Sequence, residues 1–116
     1  MESSGGAETE PRASVELEAG EWYALVNWLR EHENRLYYAY GPTYDEWKIL
    51  RELRRSIEDG VDEAEGPFPT VSLDRWQWEE LCSLLSRRRR ALQLKPWRHE
   101  ESRDVRNLLA HVRDQL

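Results

Sequence analysis

The feature of this sequence that most constrains its fold is a pattern of apolar residues that occurs twice, at a constant offset of 56 positions. The matched pairs are Val15 and Val71, Leu17 and Leu73, Trp22 and Trp78, Leu25 and Leu81, Leu29 and Leu85, and Leu36 and Leu92. Such a repeat indicates that one supersecondary unit is used twice, which favours an internal duplication. Chance similarity is the alternative, because any two amphipathic helices share a period of about 3.6 residues.

The length and the cysteine content limit the classes of protein to which the chain can belong. It has 116 residues with six Trp and five Tyr, and this aromatic content argues against a disordered chain. No apolar run reaches the roughly 18–20 residues that span a bilayer, and the first residues lack the pattern of a signal peptide. The single cysteine, Cys82, excludes an internal disulfide and a multi-cysteine metal site. We therefore expect a cytoplasmic protein with no membrane partner.

Two polar segments divide the chain. Residues 1–13 are acidic and rich in small side chains, which predicts a disordered acidic tail. Residues 58–70 carry five acids followed by a Gly-Pro-x-Pro sequence, which predicts an acidic linker. The rest of the chain, 14–116, is expected to form a single domain from one half at 15–57 and a second half at 71–116.

Each half is predicted to begin with a short strand and a long helix. The apolar residues alternate with polar ones at 15–18 and again at 71–74, as in a half-buried strand. Apolar residues at helical spacing then predict a helix over 20–37 in the first half. In the second half Asp74 is the predicted N-cap of the corresponding helix, with Gln77 as the third residue of a capping box.

A second helix is predicted to complete each half. In the first half a Gly-Pro dipeptide at 41–42 ends the first helix, and Thr43 opens a Thr-x-x-Glu capping box. The helix that follows is expected to end at Gly60, since glycine is common just after a helix. In the second half Lys95–Pro96 makes the break, and the last helix is expected over 100–115.

These elements predict a mainly α fold with four helices in two similar strand–helix–helix halves, related by a pseudo-two-fold axis. The two strands satisfy their backbone groups if they pair as a short two-stranded antiparallel ribbon. The outline is similar to that of ribbon–helix–helix DNA-binding dimers, although the chain carries no diagnostic motif of that family. The outward-facing ribbon positions would be Glu16, Glu18, Ser72 and Asp74. Because carboxylates are repelled by phosphates, DNA recognition by the ribbon is disfavoured.

The most concentrated charge is a basic stretch in the second half of a chain whose formal net charge is −6. Its six cations are Arg87, Arg88, Arg89, Arg90, Lys95 and Arg98, and Trp97 lies among them. Cations beside an aromatic ring favour contact with a nucleic acid or with an acidic protein. The alternatives are a solvated helix end, where cations interact favourably with the helix dipole, and ion pairing with the acidic run at 58–65.

Aromatic residues that do not recur at the 56-residue offset form the second set of candidates. Trp22 and Trp78 recur and are assigned to the core, and Trp47 is assigned to the inner face of its helix and also to the core. The predicted partner-binding residues are Trp76, Trp97, Tyr37, Tyr38 and Tyr40. Aromatic rings with a polar tip suit an exposed contact, whereas rings at a helix junction also fill the corner between two helices.

No pattern in the sequence indicates catalysis or metal binding. His32, His99 and His111 lack the spacing of metal ligands, and Cys82 is expected to be a buried thiol beside a core stripe. No Gly-rich phosphate loop or nucleophile motif is found. We therefore expect a non-enzymatic protein with no cofactor and no metal.

Two functional hypotheses follow. The first is a small interaction or regulatory protein that binds another protein through an aromatic and basic surface. The second is a nucleic-acid-binding module that uses the basic stretch from Arg87 to Arg98. Salt dependence discriminates between them, because a protein that binds phosphates loses affinity steeply as salt is added. The sequence leaves open whether the chain is a monomer or a homodimer.

Overall fold

A computed structural model describes residues 12–116 of the chain. The elements, in chain order, are β1 (Arg12–Glu16), α1 (Ala19–Tyr40), α2 (Asp45–Glu63), β2 (Thr70–Asp74), α3 (Arg75–Gln93), a 3-10 turn (Pro96–Arg98) and α4 (His99–Asp114). Over these residues the fold is mainly helical, with four helices and a short two-stranded antiparallel sheet, as the sequence predicts. No helix in this part of the chain is both long and apolar enough to cross a membrane.

The predicted acidic tail, 1–13, lies outside the described residues except for its last two positions, which belong to β1. The side chain of Arg12 explains the early start of this strand. Its Nη1 donates to Oδ1 of Asp74 at 3.0 Å, and its Nη2 donates to the carbonyl of Ser72 at 2.7 Å. Because these bonds tie Arg12 to residues of β2, β1 begins before the predicted strand at 15–18.

Alternation along the chain determines which strand residues enter the core. Val15 and Val71 are buried, and so are Leu17 and Leu73, whereas their direct neighbours are exposed or half-buried. This is the period of two that an extended backbone imposes. Hydrogen bonding continues beyond the end of β1, where the N–H of Leu17 donates to the carbonyl of Pro69 at 3.4 Å.

The described chain divides into two compact units that differ in charge. The acidic unit, Glu16–Val71, has six Lys and Arg against 13 Asp and Glu, a formal net charge of −7. The basic unit, residues 12–15 with Ser72–Leu116, has 11 Lys and Arg against seven Asp and Glu, a formal net charge of +4. The unit boundaries fall inside β1 and β2. The single domain with halves at 15–57 and 71–116 stays a prediction.

The core of the acidic unit is formed by one stripe of each helix. Its largest buried side chains are Trp22, Leu25, Leu29 and Leu36 on α1 and Leu50, Leu53 and Ile57 on α2. These are the positions that the helical spacing predicts, because residues three and four apart share a face. Trp47 is only half-buried, so its assignment to the core is wrong. Its ring contacts that of Tyr37, with the two centroids 5.4 Å apart.

A turn at Gly41 separates α1 from α2. Gly41 has a φ of 86°, a left-handed conformation that glycine adopts without steric cost. The helix before it ends at Tyr40 rather than at the predicted Tyr37. Thr43 lies within the turn, and Tyr44 is the N-cap of α2. The predicted Thr-x-x-Glu capping box is therefore wrong, because its Thr stands one residue before the N-cap.

Helix α2 continues past Gly60, where the sequence predicts its end, and finishes at Glu63. The reason for glycine at position 60 is a close contact, since a Cβ there would lie 2.9 Å from Cγ1 of Val71. Residues 58–63 of the predicted acidic linker are consequently helical, and only residues 64–69 connect α2 to β2.

Helix α3 provides most of the core of the basic unit. Its buried apolar side chains are Trp78, Leu81, Cys82, Leu84, Leu85 and Leu92. The helix begins with the predicted capping box, in which the N–H of Asp74 donates to Oε1 of Gln77 at 3.1 Å. From α4, Leu109 and Val112 complete this core.

Two local features recur at the 56-residue offset. The indole N–H of Trp22 donates to the carbonyl of Pro69 at 2.7 Å, and that of Trp78 donates to the carbonyl of Ala13 at 2.7 Å. The two donors and the two acceptors are thus equally spaced in the sequence. The capping boxes of α1 and α3 correspond in the same way. These features support the internal duplication, which stays a prediction together with the pseudo-two-fold axis.

Candidate basic groove and neighbouring aromatic residues

A groove in the basic unit is lined by cations from two helices. It has a volume of about 270 Å³ and lies between the C-terminal part of α3, the 3-10 turn and the first half of α4. Its charged lining residues are Arg89, Lys95, Arg103 and Arg106, and His99 and Ser102 lie between them. Among the described residues, no Asp or Glu lines this groove. It is termed the basic groove.

Only part of the predicted basic stretch faces the basic groove. Arg89 and Lys95 line it, but Arg88 and Arg98 both bind the carboxylate of Glu101 on α4. The Nε of Arg98 donates to Oε1 of Glu101 at 2.9 Å, and Nη2 of Arg88 donates to Oε2 of the same residue. Two of the six predicted cations are therefore engaged in holding α3, the turn and α4 together.

Arg87 and Arg90, the remaining members of the predicted stretch, are exposed on α3 outside the lining of the groove. An Arg tetrad covers more than one helical turn, so its members point in different directions. The structure therefore separates the four consecutive arginines into one that lines the groove, one that is ion-paired with α4, and two on the exposed surface.

Arg103 and Arg106 of α4 line the groove but are absent from the predicted site. The signal that identifies them is their spacing, since His99, Ser102, Arg103 and Arg106 lie at positions i, i+3, i+4 and i+7 of one helix and thus share a face. Arg103 also lies 3.9 Å from the carboxylate of Asp104, with both side chains more than half exposed. Such an exposed pair is weak.

Trp97 is held next to the basic groove by the 3-10 turn. Pro96 cannot continue the ladder of α3 because it lacks an N–H, and the turn that it opens places Trp97 between α3 and α4. Trp97 is 75% exposed, and the nearby Leu94 is 82% exposed. An indole and a Leu side chain are thus open to solvent directly beside groove residues Lys95 and Pro96.

Trp76, the other predicted tryptophan contact, lies in the first turn of α3 and is 42% exposed. Trp97 follows the opposite end of that helix. The helix has 19 residues, which corresponds to about 28 Å at 1.5 Å per residue. The structure therefore does not bring the two tryptophans together.

The predicted tyrosine contacts surround the junction of α1 and α2 in the acidic unit. Tyr38 and Tyr40 are well exposed, while Tyr37 is partly covered by Trp47. Tyr40 stacks on Tyr44 with ring centroids 4.3 Å apart. The tyrosines thus fit both predicted roles. Tyr37 and Tyr40 contact other aromatic rings at the helix junction, and Tyr38 and Tyr40 remain exposed.

The histidines and the cysteine do not gather into a reactive centre. Cys82 is buried in α3, and desolvation raises the pKa of its thiol. His32 lies on α1, with its ring stacked on that of Trp28 at a centroid distance of 5.8 Å. Within residues 12–116, no three His, Cys, Asp or Glu side chains form a group that could hold a metal ion.

A network of ion pairs that the sequence analysis missed joins α1 to α2. Glu33 is buried on α1, and Nε of Arg54 donates to its Oε2 at 2.5 Å. Arg54 also binds Glu58, which accepts a second bond from Arg30 at 3.0 Å. The hydrogen bond to Glu33 raises the pKa of Arg54. Burial would raise the pKa of Glu58, but the hydrogen bonds from Arg54 and Arg30 outweigh it and lower that pKa.

Comparison of the chain with protein-family models, with curated proteins and with solved structures gave no match. The class that the fold defines is a helical protein with a two-stranded antiparallel sheet. Its function has to be argued from the chemistry of its own surface, where the basic groove brings four cations together.

Proposed function

We propose that this chain is a small, non-enzymatic interaction protein with a regulatory role, which binds an anionic macromolecular partner through the basic groove and Trp97. The observation that carries the proposal is the convergence of Arg89 from α3 and of Arg103 and Arg106 from α4 on one groove that no described carboxylate lines. Like charges held close together repel one another, and an anionic partner relieves that repulsion.

Trp97 supports the same surface. Tryptophan and arginine are the residues most enriched among the side chains that dominate binding energy at interfaces. The indole of Trp97 is 75% exposed and directly follows the groove residue Pro96 in the chain, so it offers apolar contact area close to the charged lining. A partner that covers both gains burial of the ring as well as electrostatic attraction.

The other predicted contacts support the proposal less. Trp76 is isolated at the start of α3. The rings of Tyr37 and Tyr40 are each in contact with a further aromatic ring, which partly satisfies their apolar surface within the acidic unit. Tyr38 is exposed, and its ring contacts that of Tyr37.

The non-enzymatic character is proposed because the described side chains offer no activated nucleophile. Burial keeps Cys82 in its protonated form, which is the unreactive one. A cytoplasmic location belongs to the proposal, and a lone buried thiol is compatible with such a reducing compartment.

Two kinds of partner fit an anionic surface, a protein with an acidic segment and a nucleic acid. The protein partner is the first candidate from the sequence. A nucleic-acid-binding module is the second candidate function, and the exposed indole of Trp97, which follows groove residue Pro96 in the chain, favours it because bases stack on aromatic side chains.

Binding of two labelled polyanions, poly-L-glutamate and an oligothymidylate, tests the proposal by fluorescence anisotropy at low salt. The groove variant carries the substitutions Arg89→Gln, Lys95→Gln, Arg103→Gln and Arg106→Gln. The control variant carries Lys48→Gln, Arg55→Gln, Arg75→Gln and Arg90→Gln, at exposed positions outside the groove. Both variants lose the same charge, so a purely non-specific attraction is weakened equally in each.

We expect wild type to bind at least one of the two polyanions, the groove variant to lose that binding, and the control variant to retain most of it. Circular dichroism of both variants verifies that they remain folded. Failure of wild type to bind either probe, or an equal loss in the two variants, overturns the proposal.

A further inference from the structure

We infer that the basic groove binds the phosphodiester backbone of a single-stranded nucleic acid, and that Trp97 stacks on a base of the same strand. The inference rests on the proposed function and names its partner. It assigns the contact to Arg89, Lys95, Arg103 and Arg106 rather than to the run of four consecutive arginines.

The lining residues of the groove on α4 form a row, and Arg89 and Lys95 add cations from α3 and from the segment that follows it. On α4 the row extends from His99 to Arg106, a distance of about 10 Å along the helix axis at 1.5 Å per residue. A single small anion would be held by a compact cluster. An elongated groove with cations in its lining is typical of sites that follow a repeating phosphate backbone.

The types of residue in the row also suit phosphate. Three of the four cations are arginines, whose planar guanidinium groups can each donate two parallel hydrogen bonds to one phosphate group. Ser102 and His99 also line the groove and add further hydrogen-bonding groups. Phosphate contacts of this kind orient a strand without reading its sequence.

Trp97 distinguishes a nucleic acid from an acidic peptide. Carboxylates could occupy the groove, but glutamate and aspartate side chains have no flat apolar face to cover an indole that is 75% exposed. A nucleic acid supplies a base next to each phosphate, and such a base can stack on the ring. The base must be unpaired to do so, because in a duplex the faces of the bases are already stacked on one another.

The local charge makes this assignment compatible with an acidic chain. The described residues of the basic unit carry a formal net charge of +4, whereas the whole chain carries −6. Electrostatic attraction to an anionic partner therefore acts mainly at short range, within about one Debye length of the groove. For three or four neutralised phosphates on a single strand, the slope of log K against log salt is expected at about −2 to −3.

The test uses the full chain and labelled probes of about 12 nucleotides, within the size range of single-strand sites. Oligothymidylate and oligouridylate separate DNA from RNA, a duplex of equal length tests strand state, and poly-L-glutamate represents an acidic protein. We expect both single strands to bind more tightly than the duplex and than poly-L-glutamate. Affinity for them should fall about 100- to 1,000-fold over a tenfold rise in salt.

Substitutions at position 97 test the stacking contact separately from charge. We expect Trp97→Ala to weaken single-strand binding by about 5- to 150-fold, which corresponds to the loss of one base–aromatic stack. Trp97→Phe keeps a ring and should retain much of the affinity, whereas Trp97→Leu should not. Trp76→Ala, at an exposed tryptophan remote from the groove in α3, is the matched control and should leave binding unchanged.

The outcomes separate this inference from the proposed function. Groove-dependent binding of poly-L-glutamate with no binding of the single strands overturns the nucleic-acid assignment and leaves the interaction protein in place. Duplex binding as tight as single-strand binding overturns the single-strand assignment, as does equal affinity of Trp97→Ala and wild type. Absence of binding to every probe overturns both proposals.

Discussion

Which residue type suits a position in this chain depends on its tertiary neighbours as well as on its own conformational preference. Gly20 is the second residue of α1 and Gly60 lies near the end of α2, and within a helix glycine is less favourable than alanine by up to about 1 kcal/mol. Around Gly20 there is open space for a methyl group, whereas a Cβ at Gly60 would lie 2.9 Å from the side chain of Val71. Val71 is buried and its branched side chain is stiff, so it cannot move aside easily.

Alanine substitutions at the two glycines are therefore expected to change the free energy of unfolding in opposite directions. Gly20→Ala should raise the free energy of unfolding by about 0.5–1 kcal/mol, because helix propensity improves and nothing clashes. Gly60→Ala gains the same propensity but incurs an overpacking cost of about 1–3 kcal/mol, so a net loss on the order of 1 kcal/mol is expected. Urea unfolding of both variants measures the difference. Stabilisation by Gly60→Ala would show that α2 does not approach Val71 as closely as described.

The difference between a local pattern and a tertiary contact explains which residues could be placed correctly from the sequence. Trp22 and Trp78 lie on stripes of helical period, and both are fully buried as predicted. The interpretation of Gly60 as a helix terminator is wrong, because its close neighbour Val71 is 11 positions away and no local pattern reveals that approach. Trp47 fits the period of its helix, yet it lies in the first turn of α2 and is only half-buried.

At the scale of elements, the contact between α1 and α2 contains a buried ion pair that two further charged residues extend. Glu33 on α1 and Arg54 on α2 are each at least 85% covered at the side chain, and Glu58 completes the set together with Arg30. The charges of these four residues cancel. Removal of one buried partner leaves the other desolvated without compensation, which costs more than the pair itself contributes.

Two neighbouring arginines of α2 are accordingly predicted to differ in their effect on stability. Arg54→Ala should lower the free energy of unfolding by about 3 kcal/mol, since it leaves Glu33 buried without its partner. Arg55→Ala, one position along the same helix at an exposed site, should change it by less than about 0.5 kcal/mol. Chemical denaturation of the two variants gives the comparison. Equal and small effects would show that Glu33 is hydrated.

The network also predicts a pH dependence of stability. The pKa of Glu58 is lowered from its ordinary value of 4.5, so the folded chain holds this proton less tightly than the unfolded chain. The resulting stability is present above pH 4.5 and is lost as the pH falls through the folded pKa. The difference in unfolding free energy between wild type and Glu58→Gln should thus be largest near neutral pH and shrink in acid. A difference that is constant across this range would contradict the assignment.

Helices and strands were predictable as elements because their signals are local. The capping box at Asp74 and the break at Lys95–Pro96 occur as expected. The candidate groove was only partly predictable, because consecutive cations such as Arg88 and Arg89 diverge on a helix. The cations that α4 adds to the groove depend on where the chain turns after α3. The composition of the basic stretch does not specify that turn.

At the scale of the whole molecule, net charge conceals the feature that carries the proposed function. The formal charge of −6 results from an acidic unit, a basic unit and the three acids among residues 1–11. Counting charge over the whole chain therefore argues against an anionic partner, whereas counting it over the basic unit argues for one. Charge is informative about partners at the scale of the surface that meets them.

The internal repeat makes a prediction that only the whole molecule can test. Trp22 and Trp78 are both fully buried, and each indole donates to a backbone carbonyl at 2.7 Å, of Pro69 and Ala13 respectively. Replacement by Phe removes the donor, leaves that carbonyl without the bond, and opens a small cavity. Each of Trp22→Phe and Trp78→Phe should therefore lower the free energy of unfolding by about 2–3 kcal/mol.

If the two halves descend from one ancestor and keep equivalent cores, these two losses should agree within about 0.5 kcal/mol, the usual precision of additivity between separate sites.

Each unit alone has fewer than about 60 residues, a size at which a single core is marginal. Because neither unit is expected to hold its core alone, both variants should shift one common unfolding transition. Far-ultraviolet circular dichroism and tryptophan fluorescence, followed in the same urea titration, measure it, with Trp76→Phe as the exposed control. Two separate transitions, each moved by only one of the substitutions, would show instead that the acidic and basic units fold independently.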